Sequence, residues 1–156
     1  MMKIRLLCIG QKMPHWVGEA YNEFAKRVNG DCKIELVELP MAKRSKNSSV
    51  AQMKEKEAQT IFAALKPSEH LVALDVLGKQ VSTPDLAKQL EHWQMLGCDI
   101  ALLIGGPDGL HGEVLAKSQE KISLSKLTLP HPMVRVLLAE QLYRAWSINK
   151  GHPYHK

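Results

Sequence analysis

A chain of 156 residues fits one domain with a full hydrophobic core. Hydrophobic residues make up 45% and charged residues 24%, the proportions of a soluble globular protein rather than of a disordered chain. The 21 Lys and Arg outnumber the 16 Asp and Glu, and a net charge of +5 favours an anionic partner without specifying nucleic acid.

Cys8, Cys32 and Cys98 are widely spaced and form no C-x-x-C pair. An odd set without a framework argues against a disulfide scaffold and suits a reducing compartment. Met1 to Gly10 carries no signal-peptide pattern and no stretch reaches membrane-spanning length, so a cytoplasmic location is expected.

Strand and helix patterns alternate along the chain. Ile4 to Ile9 is an apolar run ending at Gly10 and reads as a strand. Trp16, Val17, Ala20, Tyr21, Phe24 and Val28 recur at helical spacing after Pro14. Ile34 to Leu39 is a second strand, and Ala42 to Ser49 is a basic, polar loop. Val50, Met53, Ala58, Ile61, Phe62 and Leu65 mark a second helix. Leu71 to Leu74 is a third strand leading into Asp75–Lys79. Thr83 is the expected N-cap of a third helix, with Pro84 at its first position and Gly97 past its end. Ile100 to Ile104 is apolar on both faces, as in a strand covered on both sides, and runs into Gly105-Gly106-Pro107-Asp108-Gly109. A short helix follows from about Gly112, then a short strand or loop around Ser123 to Leu129. After Pro130-His131-Pro132 a last helix spans about Met133 to Asn149. No repeat or linker interrupts this order, so residues 1–156 form one α/β domain with a mainly parallel sheet.

In open α/β sheets ligands bind beyond the carboxyl ends of the strands. Asp75–Lys79, Gly105–Gly109 and Leu129–Pro132 are turn-rich segments at such ends. The glycine loop lacks dinucleotide and P-loop spacing. It is read equally as a tight turn or as a loop that lets a ligand approach the backbone. The last helix is apolar around almost its whole circumference, leaving only Glu140, Arg144 and Ser147 as a polar stripe, which predicts self-association through Leu138, Leu142 and Trp146. Arg135 interrupts its apolar face and requires either an intersubunit ion pair or an anion. Glu140 and Arg144 are an i,i+4 pair. His131 is held between two prolines, which suits either a positioned imidazole or a cap for the helix. In the tail, Tyr154 and His155 are suited to stacking on a base, with Lys156 near phosphate. His152 and His155 alone make a poor metal site, and no metal is expected. Cys8 and Cys98 are expected to be buried.

Leu102 to Leu110, Leu127 to Val136, Glu140 to Ala145 and His152 to Lys156, with Gly10 to Pro14 and Ala42 to Arg44, resemble the RlmH family of 23S ribosomal RNA pseudouridine-N3 methyltransferases, of the SPOUT class. The resemblance runs through the whole chain and is most specific in the C-terminal half. It implies a SPOUT-type sheet flanked by helices, with a deep trefoil knot near the C-terminus. It also implies a homodimer with composite sites. S-adenosylmethionine, the implied methyl donor, would lie against Leu74, Gly105, Leu124, Ser125, Lys126, Leu127, Thr128 and Leu129. The implied substrate is a pseudouridine of ribosomal RNA in the assembled ribosome.

The N3–H of a pseudouridine is an imide proton, which must be lost before the nitrogen attacks a sulfonium methyl group. Arg135 and Arg144 are candidates to stabilise the developing imidate. His131 and His155 are candidate bases, ahead of Glu140, which Arg144 occupies. Arg135, Arg144, Tyr154 and His155 are expected to serve RNA and the accepting base more than the cofactor. Two other readings are a non-catalytic ribosome-binding or assembly module on the same scaffold and a SPOUT enzyme acting on transfer RNA.

Overall fold

The computed structural model describes residues 1–155, the last by its backbone alone. The expected roles of the His155 side chain and of Lys156 lie outside the described residues. Five strands, β1 (Met2–Ile9), β2 (Cys32–Leu39), β3 (His70–Gln80), β4 (Ile100–Ile104) and β5 (Glu120–Ser123), form one parallel sheet in the order β2-β1-β4-β3-β5. The helices are α1 (His15–Ala25), α2 (Val50–Ala64), α3 (Thr83–Met95), α4 (Gly112–Lys117) and α5 (His131–Lys150), with a 3₁₀ turn at Pro153–His155.

The pleat divides the core between two faces. Ile4, Leu6 and Cys8 of β1 point into a cluster completed by α1, α3 and α5. Leu7 and Ile9 point the other way, against α2 and α4. All of β4 is buried, as its unbroken apolar run requires. Burial pushes the Cys8 thiol up to about 12, so it is a neutral core group. Cys32 is buried as well, whereas Cys98 is only partly so.

Three expectations are corrected in detail. The cap of α3 is Ser82, not Thr83: its hydroxyl accepts from the Asp85 N–H at 3.1 Å and the Asp85 carboxylate accepts from the Ser82 N–H at 3.2 Å. Thr83 instead donates to Gln141 of α5 at 2.7 Å. β3 does not end at Leu74: Leu74 and Lys79 both pair with Ile122, so residues 75–78 bulge out and the ladder resumes. A Cβ on Gly78 would lie 2.8 Å from the Ile122 backbone, which is why glycine stands where the strand rejoins. The fifth strand, Glu120–Ser123, ends where the short strand or loop was expected to begin, and residues 124–129 are its loop.

The largest correction concerns α5. Leu138, Leu142 and Trp146 have their partners within one chain, packed between the sheet, α1 and α3, and are 0%, 1% and 7% exposed. Thus the apolar circumference of the helix is answered by three neighbouring elements, and it gives no argument for a second subunit. Only a stripe including Met133, Leu137, Glu140, Gln141 and Arg144 is partly open. Gly151, at φ 70°, ends the helix in the left-handed conformation, with the His152 N–H returning to the Ser147 carbonyl at 2.8 Å.

Candidate active site

A cleft of about 850 Å³ opens beyond the carboxyl ends of β4 and β5, against the bulge of β3. Its walls are the β3 bulge (Leu74 to Leu77), the loop Gly105 to Leu110, and the segment Ser123 to Leu129, with His131 and Val134 at the start of α5. Of the expected cofactor residues, Leu74, Gly105, Leu124, Ser125, Leu127, Thr128 and Leu129 line it; Lys126 does not. Val76, Leu77 and Leu127 are exposed apolar side chains on its lips.

Among the described residues, no backbone hydrogen bond of a turn or loop involves Leu124 to Leu129. The segment is instead held by side chains: the Ser123 hydroxyl donates to the Ser125 carbonyl at 3.1 Å, and the Leu127 N–H donates to the Ser125 hydroxyl at 2.9 Å. Amides and carbonyls therefore remain for a ligand.

The glycine loop closes on itself. The Gly109 N–H donates to the Gly106 carbonyl at 3.0 Å, and Gly109 takes φ 82°. A Cβ on Gly105 would lie 2.6 Å from the Gly109 carbonyl carbon and 2.9 Å from the Leu110 nitrogen. Gly105 is thus required by the packing of its own loop, and not only by room for a ligand.

Beneath the loop is a carboxylate that the sequence reading missed. Glu57 of α2 is 4% exposed; it accepts from the Ala42 N–H at 3.1 Å and lies 3.2 Å from where a Cβ of Gly106 would stand. Arg44 adds a 2.6 Å ion pair to Asp108. Together they fasten the basic loop to the cleft, beside Lys54. The available signal was the one that drew notice to Arg135: Glu57 stands four residues from both Met53 and Ile61, a charge on an apolar stripe.

His131 begins α5, borders the cleft, and has a buried Nε2 with no partner among the described residues. Burial first, and the Arg135 charge second, hold it below the ordinary histidine value, so it is neutral at pH 7. Arg135 is 1% exposed and donates to the Glu38 carboxylate and to the Gly10 carbonyl, each at 2.7 Å. Its partner is in its own chain, which replaces the intersubunit ion pair considered from sequence.

Arg144 and Tyr154 meet elsewhere. Arg144 pairs with Glu140 at 3.0 Å, Tyr154 donates to Glu140 at 3.1 Å, and the guanidinium lies 4.8 Å from the Tyr154 ring centroid. Tyr143 packs on Tyr154 with centroids 4.4 Å apart. None of Glu140, Arg144 and Tyr154 lines the cleft. From His131 to Arg144 the helix rises about 20 Å, so one chain holds the two clusters apart.

Such a fold and cleft define a class, the α/β domains that bind a ligand at the carboxyl edge of a parallel sheet. Residues 2–155 match the family described as "Predicted SPOUT methyltransferase", and the chain belongs to that SPOUT methyltransferase family. It is 52% identical over 155 residues to "Ribosomal RNA large subunit methyltransferase H" of Hahella chejuensis, covering 99% of both chains. Proteins of the same name from a Marinomonas species and from Francisella philomiragia are each 49% identical, with 99% of this chain and 100% of the relative covered. Among solved structures, "a probable methylase family protein" from Haemophilus influenzae superposes with a TM-score of 0.56 at 15% identity, covering 99% of this chain and 70% of that one, a likeness of fold.

Proposed function

We propose that this chain is an S-adenosylmethionine-dependent methyltransferase that methylates N3 of a pseudouridine in 23S ribosomal RNA within the assembled ribosome. The observation that carries the reading is the cleft of about 850 Å³ at the carboxyl edge of the sheet, walled by the glycine loop and by Ser123 to Leu129. The names of the relatives support a ribosomal RNA substrate. Pseudouridine N3 and the assembled ribosome rest on the resemblance of the sequence motifs.

The cleft suits the cofactor: amides and carbonyls along Leu124 to Leu129 other than the Leu127 N–H and the Ser125 carbonyl can meet the polar edges of an adenine and an amino acid, and Leu74, Val76 and Leu127 can cover its apolar parts. S-adenosylmethionine supplies an electrophilic methyl group when bound. The residues of the chain do the rest by orientation and charge. His131 is neutral at pH 7 and lines the cleft, so it is the described side chain best suited to take the imide proton. Arg144 and Tyr154 would hold the base, the guanidinium at a carbonyl and the ring against its face. Arg135, buried and bonded to Gly10, acts as a positioning residue for the turn beside His131.

The separation of the clusters supports a homodimer in which the tail of one protomer completes the cleft of the other. The partly open stripe of α5, with Met133 and Leu137 beside Glu140 and Arg144, is the surface this dimer would bury. The C-terminal trefoil knot belongs to the same reading.

The test is methyl incorporation into ribosomal particles from a strain lacking the enzyme, with transfer RNA in parallel and calorimetry with S-adenosylmethionine alongside. Methylation of transfer RNA but not of particles would overturn the substrate. RNA binding without cofactor binding would make the chain a non-catalytic ribosome-binding module.

A further inference from the structure

A second cavity, of about 280 Å³, opens at the same edge of the sheet, beyond β1 and β2. It is lined by Lys12, Met13, Pro14, His15, Tyr21, Glu38 and Arg135 among others, and no residue of the cleft lines it. Lys12, Met13 and Pro14 on its rim belong to the segment Gly10 to Pro14, a motif to which the reading above gives no ligand. Gly10 has φ 131° and Lys12 has φ 58°, the latter a left-handed conformation that lysine rarely adopts. The turn is built around Arg135: the Gly10 carbonyl accepts from it, and a Cβ on Gly10 would lie 3.3 Å from both the Arg135 guanidinium and His131 Nε2.

Three observations give the cavity an anionic ligand. The start of α1 has no side-chain cap, with Pro14 at the N-cap and no acidic residue in the first turn; the Val17 N–H turns back to the Pro14 carbonyl at 2.9 Å, which leaves the N–H groups of His15 and Trp16 at the rim. Arg135 has five N–H donors, of which the structure pairs two, with Glu38 and Gly10; its Nε has no partner among the described residues. Tyr21, 5% exposed, also lines the cavity, and its hydroxyl is likewise unpartnered. Glu38 is the opposing charge, with one oxygen committed to Arg135, and His15 is shared with Glu19 on the exposed side. Lys12 and the start of α1 are left as the cationic elements facing outward.

We propose that this cavity is a phosphate subsite, which holds an RNA backbone phosphate flanking the nucleotide that enters the cleft. The inference rests on the RNA-methyltransferase reading. Its position follows from α5: His131 lines the cleft and Arg135, one turn on, lines the second cavity, and both lie 3.3 Å from where a Cβ of Gly10 would stand, so the two cavities are neighbours. A strand with its reacting base at His131 would carry its neighbouring phosphate past Lys12.

Lys12→Asn tests this, because asparagine accepts the left-handed backbone and removes the charge. The variant should keep its cofactor affinity and kcat while KM for ribosomal particles rises about tenfold. The salt dependence of RNA binding should flatten by about 0.7 in the log–log slope, as for one lost contact to a single strand. Lys12→Arg should restore both. Titration of the wild-type protein with inorganic phosphate should shift the backbone amide resonances of residues 10–18, and much less in Lys12→Asn. Unmoved amides overturn the site, as do a KM and salt slope that match wild type, or shifts produced by uridine and not by phosphate. If wild-type protein methylates no ribosomal particle, the enzymatic reading fails, and the phosphate titration alone decides the subsite.

Discussion

Replacing Gly105 by alanine separates two reasons for a glycine at that position. The added Cβ would stand 2.6 Å from the carbonyl carbon of Gly109, 2.7 Å from its oxygen and 2.9 Å from the Leu110 nitrogen. Ordinary contact begins at 3.4 Å, so the loop must open by about 0.8 Å, and the obstacle is backbone, which cannot rotate away as a side chain could. Overpacking of this kind costs about 1–3 kcal/mol, and loss of the Gly106–Gly109 hydrogen bond adds about 1 kcal/mol. Gly105→Ala is therefore expected to lose about 2–4 kcal/mol of stability together with cofactor affinity. Urea denaturation followed by tryptophan fluorescence gives the first quantity, and calorimetry with S-adenosylmethionine the second. Wild-type stability with lost affinity would show that the ligand alone demands the glycine and refute the packing argument. Wild-type values in both would remove the loop from the binding site.

Four further outcomes are expected. Arg135→Met should cost about 2–3 kcal/mol, mostly from the unpaired Gly10 carbonyl, since Glu38 is 41% exposed and can rehydrate; a loss below about 1 kcal/mol by urea titration would contradict the buried role of the guanidinium. His131 has a folded pKa below its ordinary 6.5, so below pH 6.5 the unfolded chain binds the extra proton and stability falls with acidity. The melting temperature of His131→Asn should accordingly depend less on pH between about 7 and 5.5, and an unchanged dependence would assign the effect to other groups. Leu137→Glu, on the open stripe of α5, should yield a folded monomer by sedimentation, whereas Leu138→Glu, at a fully buried site, should fail to fold; a Leu137→Glu dimer as tight as wild type would place any interface elsewhere. Deleting Pro153 to Lys156, or Arg144→Ala, should abolish methyl transfer and leave cofactor affinity intact, and full activity in the truncated chain would exclude the tail from the site.

The alternation of strands and helices was legible because each element carries its own period, and the order of apolar runs alone defined a parallel α/β sheet. Ile100 to Ile104 could be read to the residue, since a strand buried on both faces has no polar interruption. The cleft was legible in outline, since the turn-rich segments that became the β3 bulge and the loop after β4 fall where such sheets bind ligands. Local sequence did not decide which of two adjacent hydroxyls, Ser82 or Thr83, caps α3, because both residue types favour that position. Nor did it show that β3 resumes after its bulge, a matter of pairing between Lys79 and the distant Ile122. The uniformly apolar α5 looked like an interface because a helical wheel counts apolar faces and not the elements that cover them. In the fold, the sheet, α1 and α3 cover that helix. The partners of Arg135 and Glu57 are similarly decided by tertiary structure: an apolar stripe broken by a charge announces that a partner exists, but Glu38, Gly10 and the Ala42 N–H become neighbours only when distant segments pack together.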